Sequence, residues 1–309
     1  MPKSAIRNTR KRVPESTIPK PAIPKTSYES NADVQRWLRD QALDALGAKP
    51  QFDPSYLAGR RDRLWILSSL EHFYQQDLIS DVLYVLKSGK EATVYCCAGG
   101  PAAGADYLAA KIYRPRMFRS LRNDALYRES RQRRDERGRP LHDGRRQRGG
   151  VKGRADQVNA WIEYEFETHR LLYEAGAAVP RPVSQIGNAV LMEYIGGLDA
   201  PAPLLREVRI GREEAQPLFD ELMRNVELFL ACNRLHGDLS AFNILYWQGR
   251  VTIIDFAQAV DPRHNPEIYP VLERDVERVY RYFARYGVVA DPGAIAAGLW
   301  ADYMGGGLW

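Results

Sequence analysis

Residues 235–256 read LHGDLSAFNILYWQGRVTIIDF, and this stretch restricts the fold more than any other. Two short apolar strands, around Ile244, Leu245 and Tyr246 and around Val251, Ile253 and Ile254, form a hairpin that belongs in a core. Yet Asp238 and Asn243 stand before the first strand, and Asp255 ends the second. A carboxylate kept beside a core without a partner costs several kcal/mol, so an ion, an arginine or a reaction is expected to meet these groups. The short loop from Asp238 to Asn243 and the return of the strand bring all three to one end of the hairpin.

The rest of the chain supplies the setting. Apolar residues at helical spacing mark 31–46 and about 61–78. Residues 81–97 are β-rich on both sides of a glycine-containing turn, and YLAAKIY (107–113) is a third strand with Lys111 in its interior. A helix over 157–176 closes at Gly176, and strands follow near 182–187 and 189–196. A long helix near 213–234 leads into the hairpin, with further helices at about 273–286 and 292–303. Strands come first and helices later, which is an α+β chain with a β-rich N-terminal lobe and a helical C-terminal lobe.

With 45% hydrophobic residues, a chain of 309 has ample material for a core. No run approaches the ~18 apolar residues of a membrane span. The N-terminus is basic but lacks the apolar stretch of a secretory signal. Cys96, Cys97 and Cys232 show no metal or redox spacing; the first two are neighbours in a strand, point to opposite faces, and read as reduced core thiols. A soluble, cytoplasmic protein without membrane contact is expected. Residues 1–30 read as a disordered basic tail and 31–80 as an N-terminal helical extension. The net charge of +5 is concentrated in 114–154, which is dense in arginine and short of acids. That composition suits a mobile insertion over about 114–156, and equally a patch for RNA or another polyanion. Without interleaved aromatics it offers no means of reading base sequence.

Together these residues suit phosphoryl transfer. That chemistry needs backbone amides over the phosphates, a cation on them, a divalent metal held by oxygen, and a group that orients the nucleophile. Ser88, Gly89 and Lys90 form the turn between the first two strands, where backbone N–H groups approach a phosphate. Lys111 is odd as packing and natural as a phosphate clamp. On the 157–176 helix, Trp161, Glu165, Thr168 and Leu172 share one face, so Glu165 projects from a core-like stripe towards a pairing with Lys111. Glu163 lies off that stripe and is the second choice. Asp238 would accept or orient a hydroxyl proton, Asn243 would give a metal a neutral oxygen, and Asp255 a charged one. Such donors suit Mg²⁺ or Mn²⁺. Taken singly each signal is weak: HGD is ordinary turn chemistry, and His236 reads best as a structural hydrogen-bonder. The ordered set is what carries specificity.

At this point the chain resembles the RIO family of atypical serine/threonine protein kinases, most closely the first subfamily and its bacterial relatives. SGKEATVY resembles the family's short phosphate loop, AAKIYR its lysine strand, EYEFETHRLLYEAGAAVPRPV its helix and following turn, and LHGDLSAFNILY and IIDFAQAV its catalytic and metal loops. The resemblance covers about 81–285 and implies a two-lobed, protein-kinase-like fold with a truncated helical C-lobe. The kinase domain would span 81–309, with its N-lobe over about 81–194 and its C-lobe over 195–309. It implies ATP phosphates at Ser88 and Lys90, Lys111 on the phosphates, and Glu165 positioning it. Asp238 becomes the catalytic aspartate, and Asn243 and Asp255 the metal ligands. Adenine would meet the segment Met192 to Ile195 through the backbone of Glu193 and Ile195. The basic stretch takes the place of the family's flexible loop, with Ser120, Tyr127 and Ser130 as its hydroxyl residues.

The resemblance also implies partners: ATP, a protein substrate, and ribosomal RNA or a ribosomal particle at the basic segment. Asp255 is followed by Phe256-Ala257-Gln258 where ordinary kinases read DFG, and no APE follows. Three activities remain open. They are protein Ser/Thr phosphorylation with autophosphorylation, an ATPase switch in ribosome assembly that works through an aspartyl-phosphate on Asp255, and small-molecule phosphotransfer. The last is the weakest, since Ser240, Ala241 and Phe242 stand where HGDLHPGN-type enzymes carry His and Gly.

Overall fold

The computed structural model describes residues 49–56, 59–89, 91–114, 151–197, 199–264 and 268–308. The tail, the helix expected at 31–46, Lys90 and residues 115–150 of the basic insertion lie outside the described residues.

Helix α1 (Arg60–Gln75) leads into a five-stranded antiparallel sheet of β1 (Ile79–Ser88), β2 (Ala92–Gly99), β3 (Tyr107–Tyr113), β4 (Pro182–Ile186) and β5 (Ala189–Glu193). The strand order is β1-β2-β3-β5-β4, which puts β3 at the centre with Lys111 opposite Val94 on β2 and Val190 on β5. Period-two alternation then sorts the side chains of β3. Leu108, Ala110 and Ile112 pack with Ile66, Leu70 and Phe73 of α1, while Tyr113 joins Trp161 and Ile162 on the other face. Cys96 and Cys97 are both buried and free, and only Cys97 enters the α1 face, as alternation requires.

The expected N-terminal helical extension contributes α1, which shares one apolar core with the sheet through Ile66, Leu70 and Phe73, each 0% exposed. Helix α2 (Val151–Glu174) starts within the stretch assigned to the insertion, where VKGRADQ has no apolar periodicity to announce a helix.

The second lobe contains α3 (Arg212–Ala231), the hairpin β6 (Ile244–Trp247) and β7 (Arg250–Ile253), α4 (Tyr269–Ala284) and α5 (Pro292–Met304). Leu222, Phe229, Ile244, Ile253, Val276 and Phe283 form the centre of its core. Among the described residues no helix is long and apolar enough to cross a membrane. In the hairpin, Trp247 faces Arg250 across Gln248 and Gly249, whose φ values of 49° and 77° describe a type I′ turn. This turn matches strand twist and fixes the register Ile244–Ile253. Ile254 N–H then donates to the Asn243 carbonyl at 2.9 Å, so the residues flanking the two strands meet at the far end.

Nothing stands within 4 Å of where a Cβ would project at Gly249, so Gly249→Ala costs only backbone strain. A loss of about 1–2 kcal/mol is expected, read as a lower denaturant midpoint at unchanged slope.

Candidate active site

Lys111 is 9% exposed and Glu165 7%. The ammonium donates to Glu165 Oε1 at 2.7 Å and to Asp255 Oδ1 at 2.8 Å. The helical stripe read in the sequence is the buried face of α2, with Trp161, Glu165, Thr168 and Leu172 all buried and Glu163 exposed. Burial by itself would lower the Lys111 pKa, but the charges of Asp255 and Glu165 lift it well above the ordinary lysine value. Burial pushes the other way on Asp255, and the charge and hydrogen bond of Lys111, with lesser help from His236 and Lys87, hold its carboxyl down to about 2. Lys111 and Asp255 are therefore both charged at neutral pH.

Tyr113 and Trp161 back this cluster. The ammonium lies 5.0 Å from the centre of the Tyr113 ring, which meets Trp161 edge-on at 5.1 Å. Trp161 Nε1–H donates to the Ala257 carbonyl at 3.1 Å, tying α2 to the segment after Asp255.

Asp238 sits across the hairpin mouth. Its Oδ2 accepts from Asn243 Nδ2 at 3.2 Å, and the same nitrogen donates to the Asp238 carbonyl at 3.0 Å. Its Oδ1 is paired with Arg278 Nη1 of α4 at 2.8 Å. With its nitrogen spent on Asp238, Asn243 can offer a cation only its amide oxygen. Asp255 keeps a second carboxylate oxygen beyond the one on Lys111. One neutral and one charged oxygen suit Mg²⁺, which takes few protein ligands and completes its shell with water and phosphate. Among the described residues there is no cluster of His, Cys, Asp and Glu suited to a softer metal.

The loops are held by groups that the sequence reading partly missed. Gly237 has φ 80°, and a Cβ there would lie 2.1 Å from the Gln258 carbonyl oxygen, so only glycine lets the two loops close together. His236 Nε2–H donates to the Ile254 carbonyl at 3.2 Å, and its Nδ1 accepts from Asp238 N–H at 3.3 Å, so the ring is a structural bridge between the two loops. Asp255 itself takes the left-handed conformation, φ 72° and ψ 75°, a strained choice for a residue with a side chain. Phe256 is then seated among the rings of His169, His236 and Phe229, at 5.7, 5.1 and 5.8 Å.

Asp275 of α4 is buried, which raises its pKa, and it accepts from Arg274 Nη2 at 3.2 Å while Arg274 also donates to the Gly237 carbonyl. No local motif announces Asp275, Arg274 or Arg278, because they reach the site from a helix whose apolar pattern reads as core packing alone.

At the other edge, Gly89 N–H donates to the Ala92 carbonyl at 2.9 Å, closing the turn after β1. Arg114, also missed, donates from Nη2 to Ser88 Oγ at 2.9 Å and from Nε to Thr93 Oγ1 at 3.1 Å. It thus puts a guanidinium against the phosphate-loop candidate, and its position straight after the lysine strand was the available signal. Glu193 N–H is spent on the Arg181 carbonyl at 2.8 Å, and the Ile195 carbonyl accepts from Ala202 N–H at 2.9 Å. A ligand edge would thus meet the carbonyl of the first and the N–H of the second.

Comparison with known proteins places this geometry. The RIO domain matches residues 94–294. The RIO-type serine/threonine-protein kinase Rio1 of Haloferax volcanii is 33% identical over 208 residues, 67% of this chain and 64% of that protein. The serine/threonine-protein kinase RIO1 of Caenorhabditis elegans is 31% identical over 206 residues, 66% of this chain and 37% of that one. The match thus spans less than two thirds of either relative. The Rio2 kinase of Chaetomium thermophilum, solved as an ADP/Mg²⁺-phosphoaspartate complex, has a TM-score of 0.54 at 20% identity over 86% of this chain and 74% of its own, which shows the two-lobed kinase-like fold.

The buried ring stack gives a pH test. His169 donates from Nε2 to the Pro180 carbonyl at 2.6 Å, and burial lowers its pKa to about 4 from 6.5. Above pH 6.5 both folded and unfolded chains hold it neutral; between 6.5 and about 4 only the unfolded chain takes up the proton, so stability falls with pH. Denaturation across that window should show a loss of up to about 3 kcal/mol that His169→Gln flattens. An equally steep fall in the variant would assign the loss elsewhere.

Proposed function

The chain belongs to the RIO-domain family, and from that premise we propose that it transfers the γ-phosphoryl group of ATP to serine or threonine hydroxyls of proteins, itself included. The observation that carries this reading is the charged triad at the hairpin mouth. One buried lysine is held by a helix carboxylate and by Asp255, with a second aspartate, Asp238, steadied beside it.

In this reading Lys111 lies on the phosphates and Glu165 holds it there. Ser88, Gly89 and Lys90 cover the phosphates, with Arg114 bracing the turn at Ser88 and Thr93. The Glu193 carbonyl and the Ile195 N–H take the adenine edge. Asn243 and Asp255 supply the oxygens for Mg²⁺, which when bound neutralises charge on the phosphates. Asp238 faces the incoming hydroxyl and accepts its proton as the new O–P bond forms and the bond to the departing ADP breaks. Its carboxylate is held by Asn243 and Arg278, so it is oriented before the acceptor arrives. The cytoplasm is the proposed site of action, and the basic segment 114–154 the proposed contact with ribosomal RNA or a ribosomal particle.

A second reading rests on Asp255. A carboxylate kept ionised in a strained backbone, one oxygen on Lys111, could itself attack the γ-phosphorus, breaking its bond to the departing ADP and forming an aspartyl-phosphate. The Chaetomium Rio2 structure contains a phosphoaspartate. Hydrolysis of such a bond would make the protein an ATP-driven switch.

A single-turnover reaction with γ-labelled ATP and Mg²⁺ separates the two. Label stable to hot acid on serine or threonine supports the kinase reading. Label that hydroxylamine removes, and that Asp255→Ala abolishes, supports the switch. Asp238→Ala should keep Mg-ATP binding and lower transfer to hydroxyl acceptors by about 10²–10⁴-fold. Wild-type turnover in that variant would remove Asp238 from its role.

A further inference from the structure

Helix α4 carries arginines at 274, 278 and 281, and Arg285 caps its C-terminal end with helical backbone angles. Steps of four, three and four residues keep them within one narrow stripe of a helix. The stripe begins in the active site, since Arg274 donates to the Gly237 carbonyl and Arg278 pairs with Asp238 at 2.8 Å. It then leaves it: Arg281 and Arg285 are exposed. Arg281 pairs with Glu277 at 2.8 Å, an exposed contact of the sort that yields readily to a competing carboxylate. Arg285 is held otherwise. Its guanidinium lies 4.6 Å from the Tyr282 ring centre and 5.8 Å from that of Tyr286, and Nε donates to the Tyr282 carbonyl at 3.3 Å. Stacking on rings fixes the planar fork while leaving its N–H groups for an anion. Both tyrosine hydroxyls donate to the Val208 carbonyl, at 3.1 and 3.2 Å, so this support is rigid.

We propose that this arginine stripe is the docking track for an acidic segment of the acceptor protein, leading its hydroxyl to Asp238. The inference rests on the kinase reading above for its direction and on the stripe itself for its charge. From Arg274 to Arg285 the helix rises about 16 Å. An extended chain covers that length in about five residues. The preferred acceptor therefore carries Asp or Glu within about five residues of its serine or threonine. The guanidinium forks meet those carboxylates, and Arg278, paired with Asp238, stands beside the reacting hydroxyl.

The test uses the full chain with Mg²⁺ and ADP and measures anisotropy of fluorescent peptides. Each peptide has one serine, followed or preceded by a run of glutamates, and has a glutamine counterpart. Wild type should bind a glutamate peptide about tenfold more tightly than its counterpart. The double variant Arg281→Glu/Arg285→Glu should erase that preference at unchanged melting temperature and nucleotide affinity. Arg224→Glu, an exposed charge reversal on α3, should keep it. No preference in wild type, a preference that survives the double variant, or an equal loss in Arg224→Glu would each overturn the proposal. So would a double variant that binds peptides as wild type does but loses a single-stranded RNA, which would make the stripe a nucleic-acid surface. Transfer from γ-labelled ATP to the same serine peptides is scored in parallel. Preferential binding without transfer keeps the docking track and removes the kinase reading; transfer without preference does the reverse.

Discussion

The site depends on one buried cation shared by two carboxylates. Lys111 comes from the centre of the sheet, Glu165 from α2 and Asp255 from the end of the hairpin, so a single ammonium joins three elements from distant parts of the chain. Desolvating a lysine is costly, and desolvating a carboxylate costs as much again, so neither buried Lys111 nor buried Glu165 is tolerable in that position alone. The arrangement is stable only when all three arrive, which makes the charge a register pin between sheet, helix and hairpin. It also leaves one negative charge in excess. A site with that balance favours a further cation over a bare phosphate, in keeping with Asn243 and Asp255 as hard oxygen donors for Mg²⁺.

The loops around the pin follow from its demands. To aim its carboxylate at Lys111, Asp255 adopts a backbone conformation that costs strain, and such a cost persists only where surrounding contacts over-determine it. Those contacts are present. Phe256 is gripped by two histidines and Phe229, the Ala257 carbonyl is taken by Trp161, and Gly237 admits the Gln258 carbonyl where a side chain would collide with it. The HGD loop and the metal-loop candidate are thus packed as one unit, with the His236 ring bonded to both.

Much of this was legible in the chain because it rests on local periods. Alternation places Lys111 on the face of β3 away from α1, and the 3.6-residue period places Glu165 rather than Glu163 on the buried face of α2. The hairpin ends could be joined on paper since a short loop and a two-residue turn leave little freedom. What could not be read came from long range or from residues with no pattern. Arg278 and Asp275 belong to a helix that reads as ordinary amphipathic packing, and nothing local says that it passes under the HGD loop. Arg114 lies beside Lys111 in sequence, but its partners Ser88 and Thr93 are set by sheet register. The start of α2 was hidden because VKGRADQ has no apolar face, and the sequence of α1 does not show what its apolar face packs against.

The placement of α4 explains why the acceptor side of this site has the character it does. Tyr269 opens α4 soon after Asp255, so little chain intervenes between the metal-loop candidate and the helix. The inner face of α4 supports the HGD loop through buried Asp275 and through Arg274, which donates to the Gly237 carbonyl. Its next residues along the same stripe are necessarily at the mouth of the site. A helix used as a floor on one side thus becomes a wall on the other, and the side chains on that wall meet whatever approaches Asp238. Arginine is a demanding choice there, because a cation beside a catalytic carboxylate competes with the hydroxyl for it. The competition is acceptable if the guanidinium has a second anion to hold as the acceptor arrives, and an acidic chain running along Arg281 and Arg285 supplies one. On the proposed docking track, charge on the acceptor and orientation of Asp238 would be two consequences of the same helix.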